Sequence, residues 1–163
     1  MPHMDEFTDR LDPDMYVVTA VAGEERAGCL VGFASQCSLR PVRFVVWLSE
    51  ANRTFRVARS ARFLAVHLLG PEQSGLAEIF GGRTGDDGHD KFRDVRWRPG
   101  HGGTAVLEDA EAWFVGRAVE RVGGGDHVGF VLDPVEWGAR DASGGPLLRL
   151  SDTYGIEPGH PVE

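Results

Sequence analysis

Residues 28–54 contain most of the groups that could bind a flat, phosphorylated ligand. Gly32 allows the main chain to bend and approach a ring closely, because glycine has no side chain to obstruct it. Side chains that could bind phosphate follow at Ser38, Ser49, Asn52 and Thr54, the last two at a predicted helix start that favours an anion. The alternatives are an ordinary turn at Ser38 and an ordinary helix cap at Asn52.

His127 is the candidate for positioning a second reactant. It follows the glycines at 123–125, and Asp126 immediately before it could orient the imidazole ring. The alternative is a histidine exposed on the surface of a hairpin. His67 lies inside a predicted strand, where we expect an interior side chain with a hydrogen-bond partner or a contact at a dimer interface. No histidine or cysteine spacing matches a metal site, so we expect no bound metal.

Short apolar runs separated by glycine and proline predict the elements that must position these residues. They are typical of a mainly β domain, with strands predicted at 15–22, 26–35, 43–48, 63–69, 112–122, 127–137 and 147–150. Helices are predicted at 52–61 and 71–80, a long polar loop at 83–103, and a hairpin turn at 123–125. The strand set favours a closed or half-open antiparallel barrel, because closure removes exposed edges.

Several sequence pieces, in this order, resemble the flavin reductase-like, FMN-binding split-barrel family. They are the glycine-bearing bend, Ser38-x-x-Pro41, an apolar strand with a polar turn ending in Thr54, the pair Lys91-Phe92, and Gly125-Asp126-His127. The resemblance covers about residues 15–154. It implies a mainly β, antiparallel Greek-key split β-barrel with two or three short helices. We expect a single domain over residues 1–163, with flexible tails at 1–14 and 156–163.

The resemblance implies an NAD(P)H:flavin oxidoreductase. Such a protein is a homodimer that transfers hydride from NADH or NADPH to FMN or FAD, with FMN favoured here, and often supplies a partner monooxygenase. The implied nicotinamide-side residues are Asp126 and His127. The implied flavin-binding residues are Leu30, Val31, Gly32, Phe33, Gln36, Cys37, Ser38, Ser49, Ala51, Asn52, Thr54, Lys91 and Phe92.

The bend at 30–33 departs from the family, because apolar side chains and a glycine replace the usual threonine and asparagine or serine. Side-chain hydrogen bonds to a flavin are therefore fewer. The alternative function is a non-catalytic split-barrel module that binds flavin, haem or another flat ligand. A barrel enzyme of unrelated chemistry is a third interpretation, since one fold can carry many activities.

Composition argues against several classes of partner. The 163 residues are a usual size for one domain. Acidic residues outnumber basic ones by 25 to 17 and the arginines are scattered along the sequence, so we expect no nucleic-acid or membrane partner. Cys29 and Cys37 are too few for a disulfide framework. Residues 1–14 do not resemble a secretion signal, and no apolar run reaches the ~20 residues of a membrane span, which predicts a cytoplasmic protein.

Overall fold

The computed structural model describes residues 3–82, 90–140 and 144–155. Those ranges contain the helices α1 (Asp5–Thr8), α2 (Arg53–Ala58) and α3 (Ser74–Gly82). They also contain the strands β1 (Tyr16–Ala22), β2 (Glu25–Val31), β3 (Ala34–Leu39), β4 (Val42–Ser49), β5 (Phe63–Leu68), β6 (Trp97–Pro99), β7 (Ala105–Leu107), β8 (Ala112–Gly123) and β9 (His127–Ala139). None of the described helices is long and apolar enough to cross a membrane.

Seven of these strands form one antiparallel sheet in the order β2-β1-β5-β8-β9-β4-β3, and β6 pairs with β7 in a small second sheet. Only Gly32 and Phe33 separate β2 from β3 in the chain, yet these strands are the two edges of the large sheet. The sheet must therefore wrap around until its edges approach each other. This open, wrapped sheet with short helices confirms the predicted split-barrel class.

The described residues contain three hydrophobic clusters, of which two are large. The first joins both halves of the wrapped sheet, because Val18 of β1 and Leu64 of β5 share it with Val46 of β4 and Phe130 of β9. Helix α2 covers this cluster with Val57 and Ala58. The second cluster lies under α3 and includes Met15, Phe80, Phe92, Leu107 and Leu148.

The structure differs from the predicted elements at three places. The run 26–35 is two strands, because the chain bends at Gly32 and Phe33 and then pairs with β4. The predicted loop 83–103 contains β6 and two 3₁₀ turns in its described part, while residues 83–89 lie outside the described residues. The predicted strand at 147–150 is wrong: it makes one isolated bridge, from Arg149 to Asp14, before a 3₁₀ turn at Leu150–Thr153.

Of the two predicted flexible tails, the first lies mostly within the described residues and the second lies outside them. Helix α1 lies within the segment 1–14, and the carboxylate of Asp12 accepts hydrogen bonds from the backbone N–H and the hydroxyl of Ser151, both at 2.8 Å. The segment 156–163 lies outside the described residues.

Candidate functional site

A cavity of about 420 Å³ opens where the bend after β2 meets the end of β4 and the start of β9. The strand pairing brings these segments together, because Ser49 is the cross-strand partner of His127 and the Trp47 amide donates to the Phe33 carbonyl at 2.9 Å. Nine of the residues singled out in the sequence line this cavity: Leu30, Val31, Gly32, Phe33, Ser49, Ala51, Asn52, Asp126 and His127.

The bend at 32–33 provides main-chain donors at the cavity wall. Within the described part of the chain, no group accepts a hydrogen bond from the amide of Gly32 or of Phe33. Main-chain amides normally have a partner, so these two are available to a ligand or to water. A heteroaromatic ring with carbonyl and nitrogen acceptors along one edge is a ligand of matching chemistry.

His127 lies at the same cavity with its orientation fixed. Its Nδ1 is 2.7 Å from the Asp126 carboxylate, and its ring centroid is 5.0 Å from that of Phe33. The carboxylate favours the tautomer with hydrogen on Nδ1, which leaves Nε2 as the acceptor. Phe33 is 60% exposed, so its ring stands at the cavity mouth and does not fill the interior. The two rings can therefore contact a flat ligand that enters beside them.

Asn52 and Thr54 occupy the start of α2. The Asn52 side chain accepts a hydrogen bond from the Thr54 amide at 2.9 Å, so it caps the helix as well as lining the cavity. The Thr54 hydroxyl is buried, and its partner is the Cys29 thiol, whose pKa the contact lowers against the larger effect of burial. It lines a second, much smaller pocket of about 30 Å³ behind the cavity, together with Asn52 and Lys91. A thiol is a weak hydrogen-bond partner, so this hydroxyl can still bind a stronger one.

Lys91 and Phe92 lie behind the cavity, in the 3₁₀ turn Lys91–Arg93. The Lys91 ammonium is buried and donates to the carbonyls of Gly28 at 2.9 Å and Phe80 at 3.2 Å. Phe92 packs edge-on against the Phe80 ring, with centroids 5.6 Å apart. These contacts join β2 to α3, and neither residue lines the 420 Å³ cavity.

The structure does not bring Gln36, Cys37 or Ser38 to the cavity. All three lie on β3, which leads away from the bend along the edge of the sheet and has a register shift between Gln36 and Ser38. Gln36 lines a separate groove on the sheet, and Cys37 is an exposed free thiol. A flavin role for these residues stays a prediction from the family resemblance.

Segments near both ends of the described chain form a cavity wall that was not predicted from the sequence. Pro13, Met15 and Leu150 line the cavity, and the Leu150 amide donates to the Pro13 carbonyl at 2.9 Å. Hydrogen bonds from Ser151 lower the pKa of Asp12, so this link is charge-assisted at neutral pH. No local sequence signal could reveal the wall, because it joins residues more than a hundred positions apart.

Trp47 also lines the cavity, although it is not among the site residues predicted from the sequence. Gly129 is its cross-strand partner, and a Cβ atom at Gly129 would lie 2.8 Å from the indole. A glycine between two apolar positions of β9 was the available signal, because such a glycine often accommodates a large neighbour. Cys29 also lines the cavity, and burial raises the pKa of its thiol, which therefore contributes no charge.

His67 has no part in the cavity. It is fully buried, its Nδ1 contacts the Val17 carbonyl at 2.9 Å, and its Nε2 accepts a hydrogen bond from the Leu107 amide at 3.0 Å. Burial lowers the pKa of His67 to about 4, so the ring is neutral at physiological pH. The described residues contain no cluster of three or more histidine, cysteine or carboxylate side chains that could hold a metal ion.

Comparisons with known proteins identify relatives over nearly the whole chain. Residues 9–156 match the flavin reductase like domain. An NADH-dependent FMN reductase of Streptomyces nodosus subsp. asukaensis is 30% identical over 138 residues, which cover 85% of this chain and 75% of the relative. The reductase component of a 4-nitrophenol 4-monooxygenase/4-nitrocatechol 2-monooxygenase of Rhodococcus opacus is 30% identical over 139 residues, covering 85% and 71%.

A solved structure has the same fold. The flavin reductase domain protein from Arthrobacter sp. FB24 superposes with a TM-score of 0.80, covering 98% of this chain and 94% of that chain at 20% identity. At this identity the superposition concerns the fold alone.

Proposed function

This chain belongs to the flavin reductase-like family, and on that premise we propose that it is an NAD(P)H-dependent flavin reductase. The observation that supports the proposal most strongly is the 420 Å³ cavity, because it joins the unpartnered amides of Gly32 and Phe33 to the oriented ring of His127. Its volume falls within the roughly 300–1,000 Å³ of small-molecule sites. The reductase relative from Streptomyces carries FMN and NADH in its name.

The residues at the cavity fit a flavin. The amides of Gly32 and Phe33 can donate to the polar edge of the ring, while Leu30 and Val31 provide apolar contacts. Bound flavin supplies the ring that accepts hydride from reduced nicotinamide. His127 and Phe33 hold the nicotinamide at the open side, and this positioning is the main contribution of the protein, since hydride transfer requires no strong acid or base.

The test is oxidation of NADH or NADPH by the purified chain with and without FMN or FAD. We expect nucleotide oxidation only when flavin is present. His127→Ala should raise the nicotinamide KM by about tenfold, which corresponds to ~1.4 kcal/mol of lost binding, and change flavin affinity much less. His101→Ala is the matched control, because His101 packs on Phe63 outside the cavity. Absence of flavin-dependent oxidation with both nucleotides would overturn the proposal.

A second candidate function is a non-catalytic module that binds flavin, haem or another flat ligand. The apolar side chains of Leu30 and Val31 at the cavity favour it, because they offer no hydrogen bond that would tune a reactive ring. Absorbance of the purified protein separates the two functions. A tightly held chromophore without nucleotide oxidation would support the module and contradict the reductase.

We also propose that the chain forms a homodimer. An apolar groove of about 630 Å³ crosses the sheet and is lined by Val42, Phe44, Trp113 and Trp137, among others. Trp137 is 71% exposed and Val42 is 51% exposed, which is costly for apolar side chains in water. A second copy of the chain is the occupant that the family resemblance implies.

A monooxygenase is the proposed recipient of reduced flavin. The support is the relative from Rhodococcus, which is named as the reductase component of a monooxygenase. We place the protein in the cytoplasm, because Cys29 and Cys37 are both free thiols, as a reducing compartment would maintain them. The formal charge of −8 is consistent with the absence of nucleic-acid or membrane partners.

A further inference from the structure

Three arginines line one groove beside α2, although the sequence analysis treated the arginines of this acidic chain as scattered. The groove has a volume of about 440 Å³ and is lined by Arg53, Arg56 and Arg59, with Glu25 as its carboxylate. Residues 51–62 contain four arginines and no acidic residue, in a chain of net charge −8. The expectation of scattered basic residues is therefore wrong at this place, because a spacing of three residues brings successive arginines to one surface.

The groove lies beside the proposed flavin cavity, with a small pocket between them. Asn52 lines both the cavity and the small pocket behind it, and Arg53 lines both that pocket and the groove. From Arg53 to Arg59 the chain advances by about 9 Å at the rise of an α-helix. A ligand with a ring in the cavity could thus extend past Asn52 and along the surface of α2 to the groove.

Two buried polar groups between the cavity and the groove have weak or missing hydrogen bonds. The Nε of Arg26 has no hydrogen-bond partner among the described residues, and the Thr54 hydroxyl has the Cys29 thiol, which is a weak partner. Both residues line the small pocket that lies between the cavity and the groove. Because buried polar groups normally have partners, their presence here indicates that a ligand or water completes this pocket.

The charges of the groove favour a phosphorylated ligand. Among the described residues that line it, Glu25 is the carboxylate, and its oxygen lies 3.5 Å from the Arg53 guanidinium, so these residues provide three guanidinium groups and one carboxylate. One guanidinium group can donate two parallel hydrogen bonds to a phosphate, and its flat face can stack on a nucleobase. A local positive potential attracts anions even on a protein of negative net charge.

We infer that this arginine groove binds the adenosine diphosphate part of a dinucleotide whose ring end occupies the cavity. The inference rests on the proposed reductase function and adds the residues that recognise the non-reacting half of a ligand. FAD and NAD(P)H both carry this chemical group, and separate measurements distinguish them.

The first experiment uses ADP alone, with no flavin and no turnover. Calorimetric titration should detect ADP binding to the wild-type chain and no binding of adenosine, which lacks the phosphates. Arg56→Gln and Arg59→Gln should each weaken ADP binding by about tenfold, the loss expected for one charged hydrogen bond. Arg40→Gln is the matched control, because Arg40 is exposed and lies outside the groove.

The second experiment identifies the source of the group. If ADP and the two substitutions weaken FAD binding and leave FMN binding unchanged, the groove binds the flavin dinucleotide. If instead ADP competes with NADH and the substitutions raise the nicotinamide KM, the groove binds the nicotinamide dinucleotide.

Either outcome supports the inference, and unchanged FMN binding confirms that the variants are folded. Absence of ADP binding to the wild-type chain, or equal ADP binding by the arginine variants, would overturn it. Because ADP binding is measured without flavin, this result is independent of whether the chain reduces flavin.

Discussion

His67 is the buried titratable side chain with the clearest consequence for stability. Its two ring nitrogens contact the Val17 carbonyl on β1 and the Leu107 amide on β7, so the neutral ring links the large sheet to the small one. Protonation would place a second hydrogen on the ring, on the nitrogen that now accepts from the Leu107 amide. The folded state therefore resists protonation of His67.

We predict that the free energy of unfolding falls as pH decreases from 6.5 towards 4. In this window the unfolded chain protonates His67 and the folded chain does not, because the folded pKa is about 4 against an ordinary value of 6.5. The loss attributable to His67 reaches about 3 kcal/mol at the lower end. Urea unfolding at several pH values measures it, and His67→Gln should reduce the slope.

A direct NMR titration of the His67 ring provides the control if His67→Gln does not fold. The ring should remain neutral until the pH approaches 4. A His67 signal that titrates near its ordinary pKa of 6.5 would contradict the prediction.

At the scale of elements, the contact between β2 and α3 depends on a glycine. A Cβ atom at Gly28 would lie 2.7 Å from the Phe80 ring, closer than any real contact of that kind. The Lys91 ammonium donates to the carbonyls of both Gly28 and Phe80, and these hydrogen bonds join β2 to α3 at the same junction. Strand β2 continues into the bend of the proposed flavin site, so this junction supports one wall of the cavity.

We predict opposite effects for two glycine-to-alanine substitutions. Gly28→Ala should lower the free energy of unfolding by roughly 1–3 kcal/mol, because the added methyl group displaces Phe80 from a packed cluster. Gly75→Ala, on α3 with open space around its position, should raise it by up to about 1 kcal/mol through helix propensity. Chemical denaturation measures both changes. Similar effects of the two substitutions would show that the β2 to α3 contact is not tight.

At the scale of the whole molecule, the cavity lies at the seam of the wrapped sheet. The two-residue link between β2 and β3 joins opposite sheet edges, and the segments around Pro13 and Leu150 complete the wall. The link from Asp12 to Ser151 holds those two segments together. The apolar groove with Val42 and Trp137 is lined by different residues, so a second copy could bind there without entering the cavity.

We predict that Val42→Glu converts the proposed dimer to a monomer. A glutamate in a largely apolar interface loses its hydration, which costs several kcal/mol. Val119→Glu is the matched control, since Val119 is similarly exposed, at 44% against 51%, and does not line the groove. Sedimentation analysis measures the association. A monomeric wild-type chain, or equal dissociation by both variants, would contradict the proposed interface.

The sequence by itself determined the fold class and the segments of the candidate site. Apolar runs and turn residues are local signals, so they located β1, β4, β5, β8, β9 and α2 within a few residues. The Asp126-His127 pair was also a local signal, because adjacent residues can form the observed contact without help from the rest of the fold.

Only the tertiary structure decided which of the candidate residues meet. The register of β4 on β9 places Ser49 beside His127, while the course of β3 takes Ser38 away from the cavity. In the folded chain the buried Lys91 ammonium donates to two carbonyls, and the packing of α2 places three arginines along one groove. These outcomes depend on contacts between residues far apart in the chain, which strand order and packing fix and local sequence patterns do not encode.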